Sequence, residues 1–158
     1  MISIIMGSQS DLETVNEAIN VLKGFKADFE VKVLSAHRTP GELAKYVEGA
    51  SKKGTKVFIA AAGGAAALAG VIAAHTTLPV IGIPIETSNL KGIDSLLSTV
   101  QMPGGIPVAC MAIGKAGAKN AALFALEILA LADKALASKL VAYRKAMKDK
   151  VVKTNLKI

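Results

Sequence analysis

The residues best suited to chemistry form one short stretch, Ser-Ala-His-Arg at positions 35–38, which directly follows an apolar segment. The guanidinium of Arg38 can hold a phosphate or a carboxylate through two parallel hydrogen bonds. The imidazole of His37 can donate or accept a proton near neutral pH. A lone loop histidine is more often solvent-exposed without a role, but an anion-binding group beside a proton-transferring group predicts acid–base chemistry on an anionic substrate.

A second candidate stretch, Met-Gly-Ser-Gln-Ser-Asp at positions 6–11, combines two hydroxyls with an acid at the predicted start of a helix. Ser8 and Ser10, together with the free N–H groups of a helix N-terminus, suit a phosphate. Asp11 suits the hydroxyls of a ribose. A structural interpretation is equally supported, because Ser10 and Glu13 have the spacing of a capping box.

Other conspicuous motifs have structural interpretations. The glycine-rich stretch at 60–70 lacks both the Lys-Ser/Thr ending of a P-loop and the spacing of a dinucleotide fingerprint. Gly63 and Gly64 either let the backbone approach a flat ligand or form a tight turn. Thr39, which precedes a proline, is predicted to be a helix N-cap. His75 falls near a predicted helix C-terminus, and we assign it no catalytic role.

The apolar pattern alternates between short β-rich runs and helical segments, which predicts an α/β fold. The predicted strands are residues 2–7, 29–34, 56–62, 79–85 and 106–113. The predicted helices are residues 11–24, 40–53, 65–75, 92–100 and a helical region from 116 onward with a break near Asp133. This alternation predicts a parallel sheet of flavodoxin-like order 2-1-3-4-5, which binds ligands at the carboxyl ends of its strands. All the candidate loops lie at those ends.

The composition limits the classes of fold and function. The 158 residues predict one domain with a sizeable core. The single Cys110 excludes an intramolecular disulfide, and together with only two histidines it argues against a metal site and favours a reducing cytoplasm. We see no secretory signal. Residues 57–85 carry no charge, but glycines, a histidine and a proline interrupt them, which argues against a membrane span.

The net charge of +7 is concentrated near the C-terminus, where residues 133–158 carry eight Lys or Arg and two acids. Nucleic-acid contact is one interpretation. We favour the solvated face of a helix, because no aromatic platform accompanies the charge. The apolar residues that recur here at helical spacing are Leu136, Leu140, Tyr143, Met147 and Val151. We expect this basic helical extension to pack on a neighbouring subunit.

Several motifs, in order along the chain, resemble the aminoimidazole ribonucleotide carboxylase/mutase family of purine biosynthesis. The matching stretches are GSQSD at 7–11, SAHRTP at 35–40, AGGAAALAG at 62–70, DSLLSTVQMPGGIPV at 94–108 and AIGKAGAKNAA at 112–122. The resemblance implies one catalytic domain over 1–158, a three-layer α/β/α sandwich and a homo-octamer. It also implies no metal, no organic cofactor, and a small ribonucleotide substrate rather than a nucleic-acid or membrane partner.

The reaction implied by the resemblance converts N5-carboxyaminoimidazole ribonucleotide into 4-carboxyaminoimidazole ribonucleotide by decarboxylation and recarboxylation. Arg38 resembles the mutase subtype, because the carboxylase subtype generally has Lys after the histidine. The nearest alternative is a carboxylase that uses carbon dioxide directly. A further alternative is a non-catalytic, flavodoxin-like nucleotide-binding module.

Carried over residue by residue, the resemblance implies that His37 is the general acid and base. The implied nucleotide-binding residues are Ser8, Ser10, Asp11, Ser35 and Arg38, with Ser10 and Ser35 at the phosphate and Asp11 at the ribose. The implied carboxylate site is lined by backbone of Gly63, Gly64 and Ala65. The family loop has His and Pro where this chain has Ala67 and Ala69, so no role for a second histidine is carried over.

Overall fold

A parallel sheet of five strands forms the centre of the computed structural model, which describes residues 1–154. The strands are β1 (Ile2–Met6), β2 (Phe29–Val33), β3 (Val57–Ala62), β4 (Val80–Pro84) and β5 (Ala109–Cys110). The helices are α1 (Leu12–Phe25), α2 (Pro40–Lys52), α3 (Leu68–Ala74), α4 (Ile93–Val100), α5 (Gly114–Ala130) and α6 (Lys134–Val152), and a 3-10 turn at Gln9–Asp11 precedes α1. The strand order β2-β1-β3-β4-β5 confirms the predicted flavodoxin-like α/β fold.

Hydrophobic side chains cover both faces of the sheet, because successive residues of a strand point to opposite sides. In β1, Ile4 packs into a cluster with α1 and α5, whereas Ile5 packs into a second cluster with α2 and α3. Both side chains are fully buried. Each such burial contributes roughly 2–3 kcal/mol, so the two clusters hold together the three-layer α/β/α sandwich.

Helix α5 packs against the sheet through small residues. The fully buried members of this face include Ala118, Ala121, Ala122 and Ala125. At Gly117 the approach is closer still, because a Cβ atom there would lie 1.6 Å from the carbonyl oxygen of Ala112. Only glycine fits at this point, so it fixes the start of α5 against the chain that leaves β5.

The uncharged stretch at 57–85 forms β3, α3 and β4, as the sequence predicts. Both strands are buried along nearly their whole length. Strands of a parallel sheet are covered on both faces, which explains the absence of charge without a membrane. Among residues 1–154, no helix combines the length and the apolar character that a membrane span requires.

The last strand is much shorter than the prediction of 106–113, because β5 contains only Ala109–Cys110. Pro107 cannot donate a hydrogen bond to a strand ladder. The N–H of Ile106 instead donates to the carbonyl of Pro103 over 3.3 Å, which closes a turn. The pairing of β5 with β4 is therefore confined to the middle of the predicted segment.

Two helix boundaries depend on local turns. The helix predicted over 65–75 begins only at Leu68, since the N–H of Ala66 donates to the carbonyl of Gly63 over 3.4 Å in a preceding turn. The break predicted near Asp133 is confirmed, because its carboxylate accepts two backbone N–H groups at the start of α6.

Helix α6 has an apolar stripe that this chain covers only in part. Leu140 is 8% exposed, and Tyr143 packs against a phenylalanine ring of α1. Met147 and Val151 are 48% and 74% exposed. Packing of the basic extension on a neighbouring subunit stays a prediction, and its last residues, 155–158, lie outside the described residues.

Replacing Gly117 by alanine tests the close approach of α5. The added methyl group would overlap the carbonyl of Ala112, so we expect the free energy of unfolding to fall by roughly 3 kcal/mol. Gly49→Ala in α2 is the matched control, because an added Cβ there meets nothing within 4 Å and the helix gains up to about 1 kcal/mol. Urea denaturation followed by circular dichroism measures both effects, and equal stability of Gly117→Ala and wild type would contradict the prediction.

Candidate active site

A cavity of about 480 Å³ opens at the edge of the sheet where the parallel strands end. The loops that follow β1, β2, β3 and β4 all contribute to its wall. Its polar side chains are Ser8, Ser10, Asp11, Ser35, His37, Arg38, Glu86 and Thr87. The structure therefore brings together, around one cavity, every side chain that the sequence singles out for substrate binding or proton transfer.

The guanidinium of Arg38 joins the first two loops. Its Nη2 donates to the carbonyl of Gly7 over 2.6 Å, and its Nε donates to the hydroxyl of Ser35 over 3.4 Å. The same hydroxyl accepts the backbone N–H of Arg38 at 3.2 Å. The positive charge is thus held between the β1 and β2 loops, and the remaining N–H groups of the guanidinium are left for an anion.

Thr39 closes the β2 loop from behind. Its hydroxyl accepts the N–H of Ser35 at 2.9 Å and donates to the carbonyl of Ser35 over 3.1 Å. Thr39 occupies the predicted N-cap position of α2, but its side chain makes no capping bond. The hydroxyl instead holds the backbone at the strand end, which fixes the loop that carries His37 and Arg38.

The imidazole of His37 lines the cavity next to Arg38. The residue is exposed, so a ligand in the cavity can reach its ring nitrogens and exchange protons with them. The other histidine, His75, ends α3 outside the cavity, where its Nδ1 lies 3.4 Å from the carboxylate of Glu48. The cavity therefore contains one imidazole.

Ser8 and Asp11 organise the β1 loop. The carboxylate of Asp11 accepts the N–H of Ser8 at 3.2 Å and the hydroxyl of Ser10 at 3.3 Å. The hydroxyl of Ser8 accepts the N–H of Ser10 at 3.4 Å, which completes a capping box on the 3-10 turn. The box that the sequence allows between Ser10 and Glu13 does not form, because Ser10 lies inside the 3-10 turn. Glu13 instead pairs with Lys115 at 2.6 Å.

Asp11 is a carboxyl group that the fold places out of water, with 8% of the residue exposed. Burial raises the pKa of Asp11, while the N–H of Ser8, the hydroxyl of Ser10 and the charge of Arg38 act in the opposite direction. These partners offset part of the desolvation penalty. Each carboxylate oxygen can accept two hydrogen bonds, so Asp11 retains the capacity to accept more from a ligand.

The glycine-rich loop contributes less backbone to the cavity than the resemblance implies. Gly63 lines it, whereas Gly64 and Ala65 lie outside the lining. The N–H of Gly64 donates to the hydroxyl of Ser95 in α4 over 3.0 Å. The side chain of Ala67 forms part of the wall, so the position where the family loop has histidine does face the cavity.

Two polar residues that no sequence motif marks, Glu86 and Thr87, also line the cavity. They follow β4, so the preference of ligands for the carboxyl ends of strands could have identified them. The hydroxyl of Thr87 donates to the carboxylate of Asp94 over 2.8 Å and accepts the N–H of Gly92 at 3.2 Å, which fixes the loop. Glu86 is exposed and adds a second carboxylate to the cavity.

Two larger hollows, of about 740 and 650 Å³, lie along α6 and away from the strand ends. Apolar side chains and scattered Lys and Arg dominate their walls, and neither contains a histidine. Within the part of the chain that the structure describes, no group of three or more His, Cys, Asp or Glu side chains could hold a metal ion. The groups suited to acid–base chemistry are those of the strand-end cavity.

Comparison with known proteins gives one family. Residues 1–150 match the family model described as AIR carboxylase. The chain is 52% identical over 155 residues to the N5-carboxyaminoimidazole ribonucleotide mutase of Saccharolobus solfataricus, covering 98% of this chain and 97% of the relative. It is also 52% identical to the mutase of that name from Bacillus subtilis, with 98% and 96% covered, and 56% identical to that of Pyrococcus abyssi, with 93% and 83% covered.

Solved structures show the same architecture. The crystal structure of Treponema denticola PurE superposes with a TM-score of 0.87 at 28% sequence identity. The match covers 96% of this chain and 93% of that one. The parallel sheet and the helices on both of its faces are therefore shared with that protein.

The burial of Asp11 predicts a pH dependence of stability. Its pKa in the folded state is raised above the unfolded value, so folding favours the protonated form. This contribution is present below the unfolded pKa and is lost as the pH rises through the folded pKa. We expect Asp11→Asn, which keeps an acceptor oxygen for Ser8 without a charge, to gain in Tm relative to wild type between about pH 4 and pH 7.

Glu13→Gln is the control of opposite sign. The ion pair with Lys115 lowers the pKa of the exposed Glu13, so its contribution is present above the unfolded pKa and is lost as the pH falls. Solvent screening keeps this effect small. Thermal unfolding without ligand over the same pH range measures both differences. If the difference in Tm between Asp11→Asn and wild type became smaller with rising pH, the raised pKa of Asp11 would be contradicted.

Proposed function

This chain belongs to the AIR carboxylase family, and from that membership we propose that it converts N5-carboxyaminoimidazole ribonucleotide into 4-carboxyaminoimidazole ribonucleotide in purine biosynthesis. Such an enzyme is a mutase, an isomerase that moves one carboxylate within its substrate. One observation carries the proposal: His37, Arg38 and Asp11 line a single cavity in a chain that is about half identical to curated mutases over nearly its whole length.

We assign the substrate to the strand-end cavity. The side chains that we assign to the nucleotide all line this cavity, and they are Ser8, Ser10, Asp11, Ser35 and Arg38. The guanidinium and the serine hydroxyls donate hydrogen bonds to the phosphate, and the carboxylate of Asp11 accepts hydrogen bonds from the ribose hydroxyls. The backbone of Gly63 borders the transferred carboxylate, whereas Gly64 and Ala65, which the resemblance also implies, lie outside the cavity lining.

His37 transfers the protons of both half-reactions. In the first, the protonated imidazole gives its proton to the carbamate nitrogen, the N–C bond breaks, its electron pair stays on nitrogen, and carbon dioxide is released. In the second, the nucleophilic ring carbon attacks carbon dioxide, a C–C bond forms, and the neutral imidazole takes the proton that this carbon loses. His37 returns to its starting state, and no oxidant or reductant is consumed.

The cavity must retain carbon dioxide between the two steps. Its apolar lining residues are Ala36, Ala62, Ala66, Ala67, Leu68 and Ile85. Methyl groups exclude water and do not compete for the gas, so recapture proceeds beside the ring carbon as an intramolecular step. Ala67 places a methyl group where the family loop has a histidine. Both proton transfers are therefore assigned to His37.

A carboxylase that uses free carbon dioxide is the second candidate, because the matching family model is described by that activity. The names of the relatives at about half identity favour the mutase, as does Arg38 after His37. The flavodoxin-like binding module remains the alternative without catalysis, and it predicts that His37 is dispensable.

Replacing His37 by asparagine tests the assignment. We expect kcat for the carbamate substrate to fall by roughly 10²- to 10⁴-fold, because the general acid and base is lost. Binding of the ribonucleotide, measured by calorimetry, should persist. His75→Asn is the matched control: it removes the other histidine, which lies outside the cavity, and should leave kcat unchanged.

Offering wild-type protein each substrate separately distinguishes the two enzymes. The mutase consumes the carbamate directly, whereas turnover of aminoimidazole ribonucleotide at low bicarbonate, without the carbamate, would indicate the carboxylase. Full activity of the His37→Asn variant would remove His37 from the mechanism. Ligand binding without any turnover by wild type would leave only the binding module.

We propose that the protein forms a homo-octamer and acts in the cytoplasm on a small ribonucleotide, without a nucleic-acid or membrane partner. The resemblance supports the assembly, and so does an apolar surface on the chain. The exposed apolar residues on and beside α4 are Leu90, Ile93, Leu97 and Val100. Their helical spacing gives one continuous face, as expected of a surface that a second copy covers.

Light scattering coupled to gel filtration tests the assembly. We expect wild type to elute at eight times the chain mass of 16.2 kDa. Leu97→Asp places a charge on the apolar face and should lower that mass, because an unpaired buried charge is costly. Asn16→Asp adds the same charge to an exposed position of α1 and serves as the control. A wild-type mass of one chain at micromolar concentration would exclude the octamer.

A further inference from the structure

We propose that Ser95 is a positioning residue that holds two walls of the active-site cavity in register and so keeps carbon dioxide from escaping. Ser95 lies in α4, which contributes no side chain to the cavity lining. Its effect on turnover rests on the proposed mutase function. Its effect on the wall itself does not, which allows the two to be tested separately.

The hydroxyl of Ser95 makes two hydrogen bonds to backbone groups of different loops. It donates to the carbonyl of Ile85 over 2.7 Å and accepts the N–H of Gly64 at 3.0 Å. Ile85 lines the cavity directly after β4, and Gly64 follows Gly63, which lines the cavity directly after β3. One hydroxyl therefore bridges the two loops behind the cavity wall.

The bridge is buried and the loop that it holds is constrained. Ser95 is fully buried, so no water competes for its hydrogen bonds. Gly64 has φ +68°, a conformation that a side chain rarely adopts. The hydroxyl of Ser98, one turn further along α4, donates to the carbonyl of Gly64 over 3.4 Å. Both peptide groups of Gly64 are thus turned toward α4 and away from the cavity.

Removal of the Ser95 hydroxyl leaves the half-buried N–H of Gly64 and the buried C=O of Ile85 without this partner. Buried backbone polar groups are nearly always paired, so the two loops must shift until other partners or water satisfy them. A small gap would open between Gly63 and Ile85 where the Ser95 link is lost. Ser98 still bonds Gly64, Asp94 still bonds Thr87, and the N–H of Ile85 still donates to the carbonyl of Ala62 over 2.9 Å, so the two loops stay attached but are held less firmly. A gap of this kind admits water and releases a small neutral gas.

For the reaction, the loosened wall changes the fraction of carbon dioxide that is recaptured rather than released to solvent. After the N–C bond of the carbamate breaks, the nitrogen keeps the electron pair and a proton, and carbon dioxide either meets the ring carbon or leaves. In the intact wall it is recaptured. In the loosened wall it reaches solvent, and aminoimidazole ribonucleotide accumulates in place of the carboxylated product. Cleavage of the N–C bond is the same in both cases, and only the later fate of carbon dioxide differs.

The test compares Ser95→Ala with Thr99→Val. Thr99 carries a second buried hydroxyl of α4 and is 3% exposed. Its hydroxyl donates over 2.7 Å to the backbone carbonyl of Ser95 in the same helix and reaches neither loop. We expect Ser95→Ala to lower kcat by roughly ten- to a hundredfold with a smaller change in KM, as for a small misplacement of reacting groups. The ratio of released amine to product, corrected for decay without protein, should rise. Thr99→Val should keep the wild-type ratio.

Hydrogen exchange measured by mass spectrometry gives a readout that does not depend on turnover. In Ser95→Ala the peptides that cover residues 62–67 and 84–88 should exchange faster than in wild type or Thr99→Val. If Ser95→Ala does not fold, Ser95→Cys, which keeps a weak donor and acceptor, should show the same changes to a lesser degree.

The outcomes separate the two claims. A wild type that converts no carbamate refutes the proposed function, while faster exchange in Ser95→Ala would still establish Ser95 as the residue that holds the wall. An active wild type together with a folded Ser95→Ala that keeps both the exchange rate and the product ratio refutes the positioning role. If Ser95→Ala and Thr99→Val lowered kcat equally and in proportion to their loss of Tm, the positioning role would also be refuted, because the effect would be general destabilisation.

Discussion

The parallel alignment of the strands is the constraint from which the candidate site follows. In the register of the sheet, Met6 lies opposite Val33 on one side and Ala61 on the other, so β1, β2 and β3 end together. Ala62 pairs with Pro84, which brings the end of β4 to the same edge. A slip by one residue would turn every side chain of a strand to the other face. The buried clusters on both faces oppose such a slip, and they thereby fix where four loops meet.

Local patterns predicted the first four strands and the side chains at their ends, because residue period and turn residues act over short distances. The strand order was predicted from the flavodoxin-like fold class that the alternation of strands and helices indicates. Local patterns could not choose between two capping boxes. Ser8 with Asp11 and Ser10 with Glu13 have the same spacing. In the fold Ser10 lies inside the 3-10 turn that Ser8 caps, and Glu13 pairs with Lys115, which is distant in sequence. The length of β5 was predicted wrongly, since the apolar run at 106–113 outweighed the proline within it.

The parts of the site that no pattern revealed are held by contacts between distant segments. Ser95 is an unremarkable helix residue in the sequence, and only the fold brings its hydroxyl to the glycine loop and to the end of β4. Thr39 likewise has the spacing of a helix cap, yet it serves the loop that precedes the helix. In each case the side-chain type was visible in the sequence, but its partner was not. Roles that depend on a partner therefore required the three-dimensional structure.

The charges of the site are held in a way that preserves them for a ligand. Arg38 bonds to two neutral acceptors, the Gly7 carbonyl and the Ser35 hydroxyl. Asp11 bonds to two neutral donors, and within residues 1–154 neither group forms an ion pair with the other. Direct pairing would have relieved the burial of Asp11, but it would also have consumed the donors and acceptors that a nucleotide needs. A phosphate and a ribose present these opposite requirements at once, so a guanidinium and a carboxylate held apart in one cavity are consistent with the ribonucleotide that we propose as substrate. Burial of the Asp11 carboxyl group, without a direct ion pair to Arg38, raises its pKa.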